Sequence, residues 1–151
     1  MKKAGRKISD TIKKFKAARA DDDTEKVLAA RRIAFFCGVP VVKVRLLKSS
    51  AFSCGVIFMG TSPAIGRTEV LHEYGHVLQL RMMGLPAYLI YVALPSLRGY
   101  WSRVPYSEYY SQPWEFAADL LGGAAEERKN YRYTPGACLD CYDYFSYVSR
   151  R

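Results

Sequence analysis

The sequence predicts an α+β fold in one compact domain. Two β-rich runs, Val41–Leu47 and Gly55–Gly60, stand together ahead of a helix that starts near Thr68. A second strong helix, opened by Pro113 and closed by Gly122-Gly123, follows some thirty residues after the first one ends. The 151 residues are 50% hydrophobic and 25% charged, enough to bury one core without help from disulfides.

In chain order, Ile8, Ile12 and Phe15 fall on one helical face of a basic N-terminal segment. Asp21-Asp22-Asp23-Thr24 reads as a break and helix N-cap, and a second helix is expected from Glu25 to about Phe36, ending at Gly38. These elements make a basic helical extension, 1–36, ahead of a domain spanning 37–151. Ser49-Ser50 predicts a turn between the two strands. Thr61-Ser62-Pro63 and Gly66 predict a loop. Thr68 is placed to cap the next helix, with Glu69 favourable in its first turn, and Gly84 and Pro86 end it near Met83. Residues 85–97 are nearly all apolar but punctuated by prolines, and too short to span a bilayer. A Tyr-rich loop precedes the Pro113 helix, and short helical or irregular structure is expected in the tail.

Eleven basic residues stand against five acidic ones in 1–34, and the whole chain carries a formal charge of +9. The basic N-terminus lacks the apolar stretch of about 7–15 residues that makes a secretory signal, so a cytoplasmic location with reduced thiols is expected. Cys138 and Cys141 form one C-x2-C, but Cys37 and Cys54 do not supply the second pair of a four-thiolate zinc site. Nucleic acid is not an expected partner, because the charge comes with no zinc-finger, helix-turn-helix or aromatic RNA-binding signature.

The chemistry concentrates in His72-Glu73-Tyr74-Gly75-His76, an H-E-x-x-H inside the first long helix. Residues four apart lie about 40° apart round a helix axis and about 6 Å apart along it, so both imidazoles can reach one zinc ion. Glu73, rotated about 100° from His72, is placed to act as general base on a water. These are the only two histidines of the chain, and chance would set them in this pattern about once in 1,600 sequences.

A catalytic zinc needs a third protein ligand. With no third histidine, the candidates downstream are Glu108, Glu115, Asp119, Glu126 and Glu127. Glu115 is best placed, because it opens the second helix and a helix holds a ligand rigidly. Asp119, one turn on, can accept the N–H of a ligating histidine and set its tautomer. Ala117 and Ala118 permit close approach of the two helices. Tyr106, Tyr109, Tyr110 and Arg103 are the candidates to steady an oxyanion.

His72-Glu73-x-x-His76 followed by Glu115-x-x-x-Asp119 resembles the gluzincin arrangement of zinc metallopeptidases. The stretch His72–Gln79, with Leu94-Pro95-Ser96-Leu97, Trp114-Glu115 and Leu121-Gly122-Gly123, is similar to small bacterial zincin-like proteins, over roughly residues 55–123. The resemblance implies a minimal zincin-like fold: a small sheet whose edge strand can pair with an extended substrate, packed on an HExxH helix and a Glu-bearing helix. It also implies one catalytic Zn2+ held by His72, His76 and Glu115, with Glu73 as base. The chain is far shorter than a thermolysin-like enzyme, and small regulatory proteases of the antirepressor-cleaving type, which share a similar short pattern, are a reasonable comparison.

The expected function is therefore zinc-dependent hydrolysis of a peptide or protein substrate. The alternative is a non-hydrolytic zincin-like domain that binds a membrane or a partner. Peripheral contact with an anionic membrane is expected from two features: the Ile8/Ile12/Phe15 stripe among lysines, and the apolar residues 85–97.

Overall fold

The structure, a computed structural model, describes residues 20–125 together with 127 and 128. The Ile8/Ile12/Phe15 stripe, Glu126, Cys138 and Cys141 lie outside the described residues. The fold is α+β, a four-stranded mixed sheet packed with helices.

Residues 20–29 are helical (α1), so Asp21–Thr24 lie within a helix and do not break one. Thr24 is not an N-cap: its Oγ1 donates to the Ala20 carbonyl, 2.6 Å away, one turn back. The helix expected to reach Phe36 stops at 29, and Ile33–Phe36 is a strand, β1. A contiguous Ile-Ala-Phe-Phe run suits a pleated, half-buried surface, and pairing with the next strand overrides its helical reading. β2 (Val39–Lys43) follows after a two-residue loop, antiparallel, with Phe36 opposite Val39. Cys37 and Gly38 hold φ of +47° and +80° in that loop. Two positive φ values make the turn that matches strand twist, so Gly38 serves a hairpin where the sequence suggested a helix end. Asp23 of α1 accepts the Cys37 N–H at 2.9 Å and pins the turn. The boundary drawn at residue 36 thus falls inside a hairpin, and Val27 of α1 is fully buried in the same core as β2.

The strand expected through Leu47 ends at Lys43 and gives way to a 3-10 turn, Arg45–Leu47. β3 (Ala51–Ser53), which the sequence pattern did not reveal, returns antiparallel to β4 (Ile57–Met59). β4 also pairs parallel with β2, so the strand order is β1-β2-β4-β3 and β3 is an edge.

α2 spans Arg67–Met83 and is capped by Gly66, not Thr68. The Gly66 N–H donates to Glu69 Oε2 at 2.9 Å, the reach-back half of a capping box. α3 (Leu85–Tyr88), a π-turn (Leu89–Ala93) and α4 (Leu94–Trp101) then form one nearly continuous helical path. Pro86 does not interrupt it, because it sits in the first turn of α3 where a missing N–H costs nothing, whereas Pro95 follows helical residues directly. The wider π-turn immediately ahead of Pro95 takes up the clash a proline makes with the preceding turn. α5 (Tyr106–Tyr110) gives short helical form to the expected Tyr-rich loop, and α6 (Pro113–Gly122) ends at Gly123 as expected.

One core joins the sheet, Val27, and Val70, Leu71 and Val77 of α2. A second joins Met83, Tyr88, Val92 and Ala117. Between them α2 and α6 touch backbone to backbone. A Cβ on Gly75 would lie 1.9 Å from the Ala118 carbonyl oxygen, and one on Gly122 would lie 1.9 Å from that of Leu71. Gly75→Ala should therefore destabilise the fold by about 3 kcal/mol, the upper range for overpacking. That outweighs the gain of about 1 kcal/mol that Ala brings to a helix interior. A thermal melt lowered by about 10 °C is the expected reading, and an unchanged or raised midpoint would show that the helices are free to separate.

Candidate metal centre

The close α2–α6 approach delivers three side chains to one point. His72 and His76 project from successive turns of α2, and Glu115 comes from the first turn of α6. All three are buried, with ligand atoms within 4.8 Å of one another, a group that could hold a metal ion. Glu115 Oε2 lies 3.0 Å from His72 Nε2 and 3.1 Å from His76 Nε2. The imidazoles meet edge to face, centroids 4.7 Å apart. Of the other carboxylates considered, Glu108 is exposed on α5, and Glu127 is occupied by the Arg67 guanidinium and the Thr68 hydroxyl, each at 2.6 Å.

Hydrogen bonds decide which nitrogen of each ring carries the proton. His72 Nδ1 donates to Asp119 Oδ1 at 2.7 Å, the role expected of that carboxylate. His76 Nδ1 donates to Gln79 Oε1, also at 2.7 Å. The Gln79 amide is oriented by its own N–H, which donates to the Trp114 carbonyl at 2.7 Å, so only its oxygen can face His76. An imidazole in its neutral form would then turn a lone pair on Nε2 toward the same carboxylate oxygen, Glu115 Oε2. Ser96 Oγ, on α4, donates to the other oxygen, Glu115 Oε1. Gln79 could have been found from its place three residues after His76 on the helix. Ser96 is nineteen residues from Glu115, and no local signal links them.

Three electron-rich atoms at this spacing repel unless protons or a cation lie among them. With protons alone, burial depresses the His72 pKa, but Asp119 and Glu115 more than offset it and raise it from 6.5 to about 9. Glu115 moves the other way: burial pushes it up, and the two imidazoles overcome this and hold it well below the usual carboxylate range. A folded-state histidine pKa raised from 6.5 to about 9 stabilises fully below about 6.5 and loses that contribution as pH rises through about 9. Chelator-treated protein should therefore melt at progressively lower temperature between those values. A divalent cation bound there would displace the protons and should stabilise more strongly as pH rises. A chelated melt that climbs across that window would contradict this proton placement.

Glu73 is buried, and its Oε2 has no hydrogen-bond partner among the described residues. Burial raises its pKa, with His72 and His76 opposing. Its backbone carbonyl accepts the Ser53 hydroxyl at 2.9 Å, tying α2 to edge strand β3, and the Tyr88 hydroxyl donates to the Ser53 carbonyl at 3.1 Å.

Of the residues considered for the oxyanion, two tyrosines stand beside the cluster. Tyr110 packs its ring edge-on to His72, centroids 5.1 Å apart. Burial and the neighbouring Glu115 carboxylate push the Tyr109 phenol well above its ordinary value. Tyr106 stands one ring farther out, 4.5 Å from Tyr110. Arg103 is exposed in the α4–α5 connection with φ +52°, and no hydrogen bond or ion pair joins its guanidinium to the cluster. A buried guanidinium does stand nearby, but it belongs to Arg128. It lies 3.6 Å over the Tyr110 ring centroid, with Nε 3.6 Å from Asp119 Oδ1. Nothing in the spacing between Asp119 and Arg128 announces that contact.

The buried His72/His76/Glu115 triad resembles an HExxH-type site. No protein-family model, curated protein or solved structure matches the chain. The arrangement therefore has to be read from its own donors: two imidazole nitrogens of settled tautomer and one carboxylate oxygen, with a buried carboxyl next in sequence.

Proposed function

We propose that the chain is a zinc-dependent peptidase of the gluzincin type, with His72, His76 and Glu115 as ligands and Glu73 as general base. The observation that carries this reading is the convergence of both Nε2 atoms on Glu115 Oε2, with both Nδ1 atoms already committed to Asp119 and Gln79. Two nitrogens and one carboxylate oxygen form a set that suits zinc, and a three-ligand set is that of catalytic sites, which keep a further position open. When bound, the zinc ion would supply Lewis-acid activation of water and of a substrate carbonyl.

The remaining work falls to side chains and backbone of this chain. Glu73 takes the proton of the attacking water and delivers it to the departing amine, a transfer suited to a carboxyl whose pKa burial has raised. Asp119 and Gln79 hold the two rings against rotation. β3 is the sheet edge next to Glu73 through Ser53, so an extended peptide could add to it as a further strand. Tyr109 and Tyr110, the two tyrosines beside the cluster, are the proposed donors to a developing oxyanion.

Metal content tests the first step of this reading. Protein purified without chelators or metal-affinity tags should carry about one zinc per chain by elemental analysis. His76→Ala should lose it. A metal-free wild type, or a variant that keeps its full complement, would sink the assignment.

A further inference from the structure

The helical path from Leu85 to Trp101 is apolar on two sides. Its inner side buries Tyr88 and Val92 in the second core and brings Ser96 to Glu115. Its outer side leaves Leu85, Leu89, Ile90, Leu94, Leu97 and Trp101 exposed, with Ile90 at 59%, Leu94 at 60% and Trp101 at 74%. These positions recur every one to four residues along a single helical stripe. A helix that is apolar all round is ordinarily covered on both sides, and isolated surface leucines do not account for a stripe four turns long.

The charges around the stripe indicate what covers it. No aspartate or glutamate occurs from Tyr74 through Ser107, while Arg81, Arg98 and Arg103 do. All three arginines are exposed, and none has a carboxylate partner among the described residues. Arg98 lies one turn from both Leu94 and Trp101 on the helix surface. A second copy seated on this stripe would add the same arginines and no acid from residues 74–107. An anionic lipid surface meets both requirements at once. Headgroups pair with the arginines, and the acyl boundary takes up the leucines. Exposed Tyr91, Tyr100 and Trp101 are the residue types that settle at headgroup depth. No helix among the described residues is long and apolar enough to cross a membrane, so contact would be lateral.

We infer that the outer face of residues 85–101 is a docking surface for an anionic bilayer, which holds the helix parallel to the membrane plane with the α2–α6 cluster just behind it. Docking requires neither metal nor hydrolysis, so its test is separate from that of the proposed activity. Full-length protein is sedimented with vesicles of phosphatidylcholine alone or with about one-third phosphatidylserine. Binding to the second only, weakened by salt, is expected. Ile90→Glu with Leu94→Glu should weaken binding at least about a hundredfold. Arg98→Gln and Arg103→Gln should each weaken it about fivefold. In the unaltered protein, brominated lipids should quench tryptophan emission, and Trp101→Phe should remove most of that quenching. Three results would overturn the inference: no binding above that to phosphatidylcholine, binding that survives the Ile90/Leu94 double change, or a wild-type dimer that the double change splits while vesicles are ignored.

Discussion

Glu73→Gln should keep the zinc and lose hydrolysis, with the rate falling about a thousandfold, within the range supplied by a positioned general base. The substitution preserves shape and removes only the ability to accept a proton. Glu73 Oε2 has no hydrogen-bond partner among the described residues and burial disfavours its charge, so the neutral amide costs the fold little. Zinc stoichiometry and the thermal midpoint should therefore match the wild type while turnover of a peptide library vanishes. Two outcomes would redirect the reading. A variant that cleaves at the wild-type rate would place the base elsewhere. A wild type that holds zinc yet cleaves nothing would favour a non-hydrolytic metal-binding domain.

The second large effect is expected at Glu115. Glu115→Ala removes one of the three proposed ligands and also the fully buried carboxylate that balances two imidazoles. Zinc affinity should fall by more than the roughly 10–100-fold loss that follows removal of a ligand's hydrogen-bond partner, which is the effect expected of Asp119→Ala. Hydrolysis should be abolished. The metal-free variant should also be less stable by about 3 kcal/mol near neutral pH, because breaking a buried pair leaves its partners uncompensated. Glu108→Ala provides the control, since that carboxylate is exposed on α5. Competitive titration with a chromogenic chelator reads all three variants. Metal lost from the Glu108 variant and kept by the Glu115 variant would refute the ligand set.

Periodicity made part of this site legible without coordinates. The i, i+4 spacing of His72 and His76 with Glu73 between them, and the i, i+4 spacing of Glu115 and Asp119 on a Pro-opened, Gly-closed helix, are local regularities. A helix turns such regularities directly into a shared face, so the α2 and α6 segments and the side chains they present follow from spacing alone. Gly75 also stands out locally, as a costly residue inside a helix, although its reason does not.

Tertiary structure decided what spacing leaves open. Ile33–Phe36 is a strand because β2 is there to pair with it, and Gly38 serves a hairpin because Phe36 and Val39 lie opposite each other. Gly75 is required because the Ala118 carbonyl passes where a side chain would stand. The choice of Glu115 over Glu108 or Glu127, the tautomer that Gln79 imposes on His76, the Ser96 contact to Glu115 and the buried Arg128 beside Asp119 all join residues far apart in the chain or depend on burial. The physical reason is common to them. Local spacing controls which side chains share a helix face, whereas the carboxylate that meets the histidines, proton placement and backbone approach depend on how two helices pack across a buried interface.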